Sequence, residues 1–166
     1  MSPAPVEIRD ASASDFESIL GLNDDEVRQT SPMDLQRLRF LDRVSCHHKV
    51  AVVTGRVAGF ILAIRAGSAY ANDNFAWFSS RLDDFLYVDR IVVGADHAGL
   101  GIGSTLYRDL FAHAKAQGIP RITCEYNLDP PNLASRAFHD KFGFTELGTQ
   151  RVAGGIKLVS LQVAAI

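Results

Sequence analysis

The sequence predicts a single mixed α/β domain over residues 1–166, with the element order β-α-α-β-β-β-α-β-α-β-β. Three observations predict it. Segments with apolar residues at alternate positions interleave with segments whose apolar residues return every three or four positions. A helix-length segment separates two of the strand segments, so those two strands should run parallel in an otherwise mixed sheet. The length of 166 residues is that of one ordinary domain.

Val6 to Arg9 reads as a short strand. Ser14 and Glu17 have capping-box spacing, and Phe16, Ile19, Leu20 and Leu22 give the following helix an apolar face. A second helix is expected from Ser31-Pro32, with proline in its first turn, carrying Met33, Leu35, Leu38, Leu41 and Val44. His47 and His48 follow it and read as exposed polar residues at a helix end, not as metal ligands.

Lys49 to Thr54 and Arg56 to Arg65 form a hairpin signal around Gly55. Residues 66 to 83 show no period and read as a long loop, of the kind that often carries function. A strand is expected from Asp84 to Val93, with Phe85, Tyr87, Asp89, Ile91 and Val93 on one face and Arg90 on the other. After Gly94 to Gly103, a helix runs to about Gln117 on the stripe Leu106, Leu110, Phe111 and Ala114, with Gly118 as its stop.

Ile119 to Tyr126 is the next strand. Pro130-Pro131-Asn132 opens a helix that turns Ala134, Ala137, Phe138 and Phe142 inward and ends at Gly143. Phe144 to Arg151 and Gly155 to Val163 are the last strands, hinged at Gly154-Gly155.

Composition narrows the function classes. The net charge is −2, which argues against a nucleic-acid or anionic-membrane partner. Cys46 and Cys124 are the only cysteines, too few and too far apart for a disulfide scaffold or a structural zinc site. The start of the chain has no signal-peptide pattern, and a cytoplasmic protein without a bound metal is expected.

The chemistry concentrates in Val88 to Ser104, where a strand runs into a loop with glycines at 99, 101 and 103 and then a helix. The first N–H groups of a helix have no partner within it, and they sit at the positive end of its dipole. Glycine lets an anion approach without meeting a Cβ. The expected ligand is therefore a phosphate or diphosphate. A P-loop would need Lys before Ser104, where Gly103 stands, and a dinucleotide fingerprint would need a different glycine spacing.

This segment resembles the cofactor motif of the GNAT superfamily of N-acetyltransferases, a strand followed by Arg/Gln-x-x-Gly-x-Gly/Ala and a helix. Ala98, Gly101 and Gly103 occupy the three defining positions, with Ala98 departing from the usual Arg or Gln and His97 beside it. Asn132 to Phe144 resembles the later motif Asn-x-x-Ala-x-x-Phe-Tyr-x-x-x-Gly-Phe, with His139 in place of the Tyr. The resemblance spans the chain and implies a mostly antiparallel sheet with one splayed parallel strand pair.

It also implies acetyl-CoA as co-substrate and an N-acetyltransferase acting on a primary amine of a small molecule or peptide. Backbone groups of Ile91, Val92 and Val93 would pair with the pantetheine arm. The N–H groups of Gly99, Leu100, Gly101, Ile102, Gly103 and Ser104 would hold the diphosphate. Asn132 would bond pantetheine, unless it serves as a helix N-cap; the two roles are compatible. His139 would contact the cofactor and protonate the leaving thiolate, or be a helix residue without a role.

Glu125 and Asp89 are the candidate bases, each with a solvated or ion-paired alternative. Tyr126 and Asn127 could contact acceptor or cofactor. Asn74, Phe75, Trp77 and Tyr87 are the candidate acceptor contacts, with lid packing or a homodimer interface as the alternative. The competing function is a non-catalytic acyl-CoA-binding sensor.

Overall fold

The computed structural model describes residues 4–26 and 30–166. The elements are β1 (Val6–Asp10), α1 (Phe16–Asp25), α2 (Leu35–Val44), β2 (His47–Val53), β3 (Arg56–Arg65), α3 (Asp73–Ser79), β4 (Leu86–Val93), α4 (Ile102–Ala116), β5 (Arg121–Asp129), α5 (Leu133–Asp140), β6 (Thr145–Val152) and β7 (Lys157–Ala165). The strands hydrogen-bond in the order β1-β2-β3-β4-β5-β7-β6. The ladders β1–β2, β2–β3, β5–β7 and β6–β7 are antiparallel, and β4–β5 is parallel, as the intervening helix requires.

The chain divides into two compact units, residues 1–64 with 88–113 and residues 65–87 with 114–166. The first unit holds β1, α1, α2, β2 and nearly all of β3, together with most of β4 and α4. Its core includes Ile19, Leu38, Leu41, Phe60, Ile61, Leu62, Leu106 and Leu110, all fully buried. The second unit is built on β5, β7 and β6, with α3 and α5. Phe78, Phe85, Tyr87, Ile122 and Leu161 are buried there.

Four local expectations are corrected. The capping box lies at Ser12 and Asp15, not Ser14 and Glu17. Asp15 accepts the Ser12 N–H at 2.8 Å while Arg9 pairs with both its oxygens, which starts a short 3-10 turn ahead of α1. The second helix begins at Leu35 because Asp34 caps it, accepting the Arg37 N–H at 2.7 Å. Residues 66 to 83 contain a helix, α3, capped by Asn72, whose Oδ1 accepts the Asn74 and Phe75 N–H groups at 3.0 Å. Finally, His47 and His48 open β2, paired with Ala63 and Leu62, and are buried.

His47 lies 4.8 Å ring to ring from His113, with its Nε2 3.4 Å from Asp109. Burial first, and then the charge of His113, push its pKa down to about 3. The ring is therefore neutral at pH 7, and the Asp109 contact is no ion pair.

The unfolded chain, with an ordinary histidine near 6.5, takes up a proton that the folded chain refuses. Folded stability is thus whole above about pH 6.5 and falls as the pH drops towards 3, by up to about 1.4 kcal/mol per pH unit. Denaturant unfolding at pH 7.5, 5.5 and 4.5 should show His47→Gln losing less stability on acidification than the wild type. Parallel losses would contradict the assignment.

Candidate active site

The glycine segment belongs to the first unit. Gly94 leaves β4 with its N–H bonded to Ala58 O at 2.8 Å, and a 3-10 turn follows over Ala95–His97. Gly99 and Gly101 have φ of +82° and +72°, which side-chain-bearing residues rarely adopt. A Cβ built on either would meet nothing within 4 Å, so open space lies in front of the loop backbone. The helix that follows, α4, is 15 residues long, and its first N–H groups have no partner within it. Residues 98 to 104 carry no acidic side chain. This combination of open space, a helix N-terminus with its dipole and a loop without acidic side chains over residues 98 to 104 fits a diphosphate.

Asp89 also lies in the first unit, and its charge is engaged. Its Oδ2 accepts from Arg90 Nε at 2.8 Å, and the two side chains are 3% and 5% exposed. Arg90 further donates to Asn23 Oδ1 at 2.9 Å and to the Ser31 carbonyl at 3.0 Å. The cluster ties α1 and the approach to α2 onto β4.

In the second unit, successive residues of β5 project to opposite faces. On one face Glu125 is half-buried and accepts the Tyr87 hydroxyl, whose oxygen lies 2.9 and 2.8 Å from the two carboxylate oxygens. The parallel ladder places Tyr87 opposite Thr123, two residues before Glu125.

The helix α3 packs on residues of this unit through three candidate acceptor residues. Asn74 Oδ1 accepts from Gln150 Nε2 at 3.1 Å. Trp77 lies over Gly148 so closely that a Cβ there would stand 2.5 Å from the indole. Phe75 is buried against Tyr70, Phe85 and Tyr87. Asn74, Phe75, Trp77, Tyr87 and Glu125 are thus brought together in one unit.

On the other face, Tyr126 meets His139 of α5. Asn132 accepts the Ser135 N–H at 3.1 Å, so it does cap α5. His139 is 4% exposed and packs against Phe138 and Phe144. Its Nδ1 lies 2.7 Å from the Ser135 carbonyl, which only accepts. The proton therefore sits on Nδ1, and Nε2 presents a lone pair. Burial holds the pKa below the ordinary 6.5, against the opposing Ser135 bond. Burial thus favours the neutral ring, with the Ser135 carbonyl fixing its orientation.

Sequence reasoning did not anticipate the polar chain beside it. Ser160 donates to Glu146 at 2.7 Å, and Gln162 donates to Tyr126 at 3.2 Å. Ser160 and Gln162 are buried, and burial raises the Tyr126 pKa, keeping that phenol protonated. Two polar residues at alternate positions of an apolar strand were the available signal.

The acetyltransferase (GNAT) family model matches residues 7–144. The chain is 32% identical over 165 residues to a phosphinothricin N-acetyltransferase of Streptomyces viridochromogenes, covering 93% of this chain and 83% of the relative. The chain belongs to the GNAT acetyltransferase family.

Solved GNAT structures agree in fold. Ard1 from Thermoplasma volcanium has a TM-score of 0.77 at 18% identity, over 97% of both chains. Arabidopsis thaliana Naa50, in complex with the bisubstrate analogue CoA-Ac-MVNAL, has a TM-score of 0.72 at 16% identity, over 97% of this chain and 99% of that one. As a GNAT enzyme the chain is an N-acetyltransferase that moves an acetyl group from acetyl-CoA to an amine. Among the described residues, no helix is long and apolar enough to cross a membrane.

Proposed function

We propose that the enzyme acetylates the primary amine of a small molecule, with Glu125 as its base. The α3 clamp carries the choice of a small acceptor over a peptide. Trp77 over Gly148 and Asn74 on Gln150 hold α3 onto β6, closing up the residues assigned to the acceptor. The Streptomyces relative is named for acetylating phosphinothricin, a small molecule, which favours the same choice.

The N–H groups of residues 99 to 104 hold the diphosphate of acetyl-CoA, and backbone groups of Ile91, Val92 and Val93 pair with pantetheine. The amine lone pair attacks the thioester carbonyl carbon, forming the C–N bond. Glu125 takes the proton from that nitrogen, the C–S bond breaks, and CoA leaves as a thiolate. Asp89, committed to Arg90, holds the fold of β4 rather than taking the proton. His139 contacts the cofactor, and the thiolate recovers its proton from solvent. We also infer a cytoplasmic location and a homodimer, a state common among similar folds.

A thiol-release assay with acetyl-CoA tests the acceptor class. Small amines, amino acids and amino-acid analogues among them, should release CoA, and peptides with a free α-amine should not. Faster turnover of peptides would overturn the small-molecule reading. No release with any amine would overturn the proposed chemistry.

A further inference from the structure

We propose that Tyr87 is the positioning residue for Glu125, holding the carboxylate ionised and fixed in orientation for proton transfer. The inference rests on the reading of Glu125 as the base, and it moves Tyr87 from acceptor contact to partner of the base.

The geometry carries it. The phenol oxygen is nearly equidistant from the two carboxylate oxygens, at 2.9 and 2.8 Å, so its single O–H is shared across them. Tyr87 is 0% exposed, which keeps it from meeting an acceptor directly. Its ring is held by Phe75 at 5.8 Å and Phe78 at 6.0 Å, and its strand position is locked opposite Thr123. A half-buried carboxylate on a flexible stem thus has a rigid donor beneath it.

A hydrogen bond to the charged form favours that form. Thr123 on β5 and Leu161, opposite Glu125 on β7, carry no charge, and Asp89, the next residue of β4 on the Tyr87 face, is paired with Arg90. The Tyr87 bond thus favours the ionised carboxylate that a base needs as the pH falls.

Removing the hydroxyl leaves the ring in place and should raise the Glu125 pKa. The acid limb of kcat/KM should move up by about one pH unit in Tyr87→Phe, the size expected for one bond to a charged group. At pH 7 kcat should fall about tenfold, with KM for the acceptor nearly unchanged, since orientation is lost rather than binding.

The experiment is the pH profile of the wild type, Tyr87→Phe and Glu125→Gln. Loss of the acid limb in Glu125→Gln together with its upward shift in Tyr87→Phe supports the proposal. If the limb survives at its wild-type pH in Glu125→Gln, Glu125 is not the base and the underlying reading fails, whereas a limb displaced to the alkaline range of the free amine supports it. If Glu125→Gln removes the limb but Tyr87→Phe leaves it in place, Tyr87 only packs, and the positioning role is overturned.

Should Tyr87→Phe fail to fold, Glu125→Asp replaces it, because the shorter carboxylate loses the reach to Tyr87. Aspartate's ordinary pKa lies below glutamate's, yet the limb should then lie above the wild type's. A limb below the wild type's would contradict the proposal.

Discussion

Gly101→Asp should weaken CoA binding by about a hundredfold or more, through charge repulsion added to a lost backbone approach. Gly101 has φ of +72° and faces open space, so an aspartate side chain would enter the volume assigned to the diphosphate. Strain alone would also weaken the loop, and Gly101→Asn separates the two effects. Asparagine has the same shape and tolerates a positive φ better than most residues, but carries no charge. It should cost about tenfold, leaving the remainder to the carboxylate. Raising the salt should narrow the gap between Asp and Asn, since the repulsion acts in a solvent-exposed loop. Calorimetry with CoA reads both. Equal affinities of the two variants would show that conformation, not charge, is what the loop requires.

Glu125→Gln should lower kcat by about two to three orders of magnitude, within the usual range for a lost general base. The glutamine keeps the size of the side chain and can still accept from Tyr87. Acetyl-CoA affinity should hold, because the diphosphate is assigned to residues 99 to 104. The lost rate should partly return at alkaline pH, where the acceptor amine sheds its proton to solvent. Steady-state kinetics from pH 6 to 10 would check it, with those bounds chosen to span about the ordinary carboxylate-to-amine range. A variant with wild-type kcat at neutral pH would remove Glu125 from the chemistry.

What could be read from the sequence was local. The cofactor loop is one run of residues in which glycine spacing, the preceding strand and the following helix all lie side by side, so its chemistry shows without the fold. The parallel relation of β4 and β5 follows from the helix between them. Asn132 as a cap needs only its neighbours.

The base and its partner needed the fold. Tyr87 and Glu125 stand 38 positions apart, and only the register of β4 on β5 brings them together. The helix α3 is seven residues long, too short to display a period, and its Asn72 cap lay within a loop-like composition. His139 matched a motif position, but its tautomer depends on the Ser135 carbonyl, a backbone atom that no spacing rule reveals. The start of α1 was misplaced because Arg9, on β1, selects Asp15 as the capping carboxylate.

The central claim is that the amides ahead of and within the first turn of α4 grip the diphosphate of acetyl-CoA. Amide NMR shifts during titration with CoA, and separately with pantetheine, test it most directly. The amides of Gly99, Gly101, Gly103 and Ser104 should move with CoA and stay in place with pantetheine, which lacks the diphosphate. Loop amides that remain unmoved at saturating CoA would contradict it.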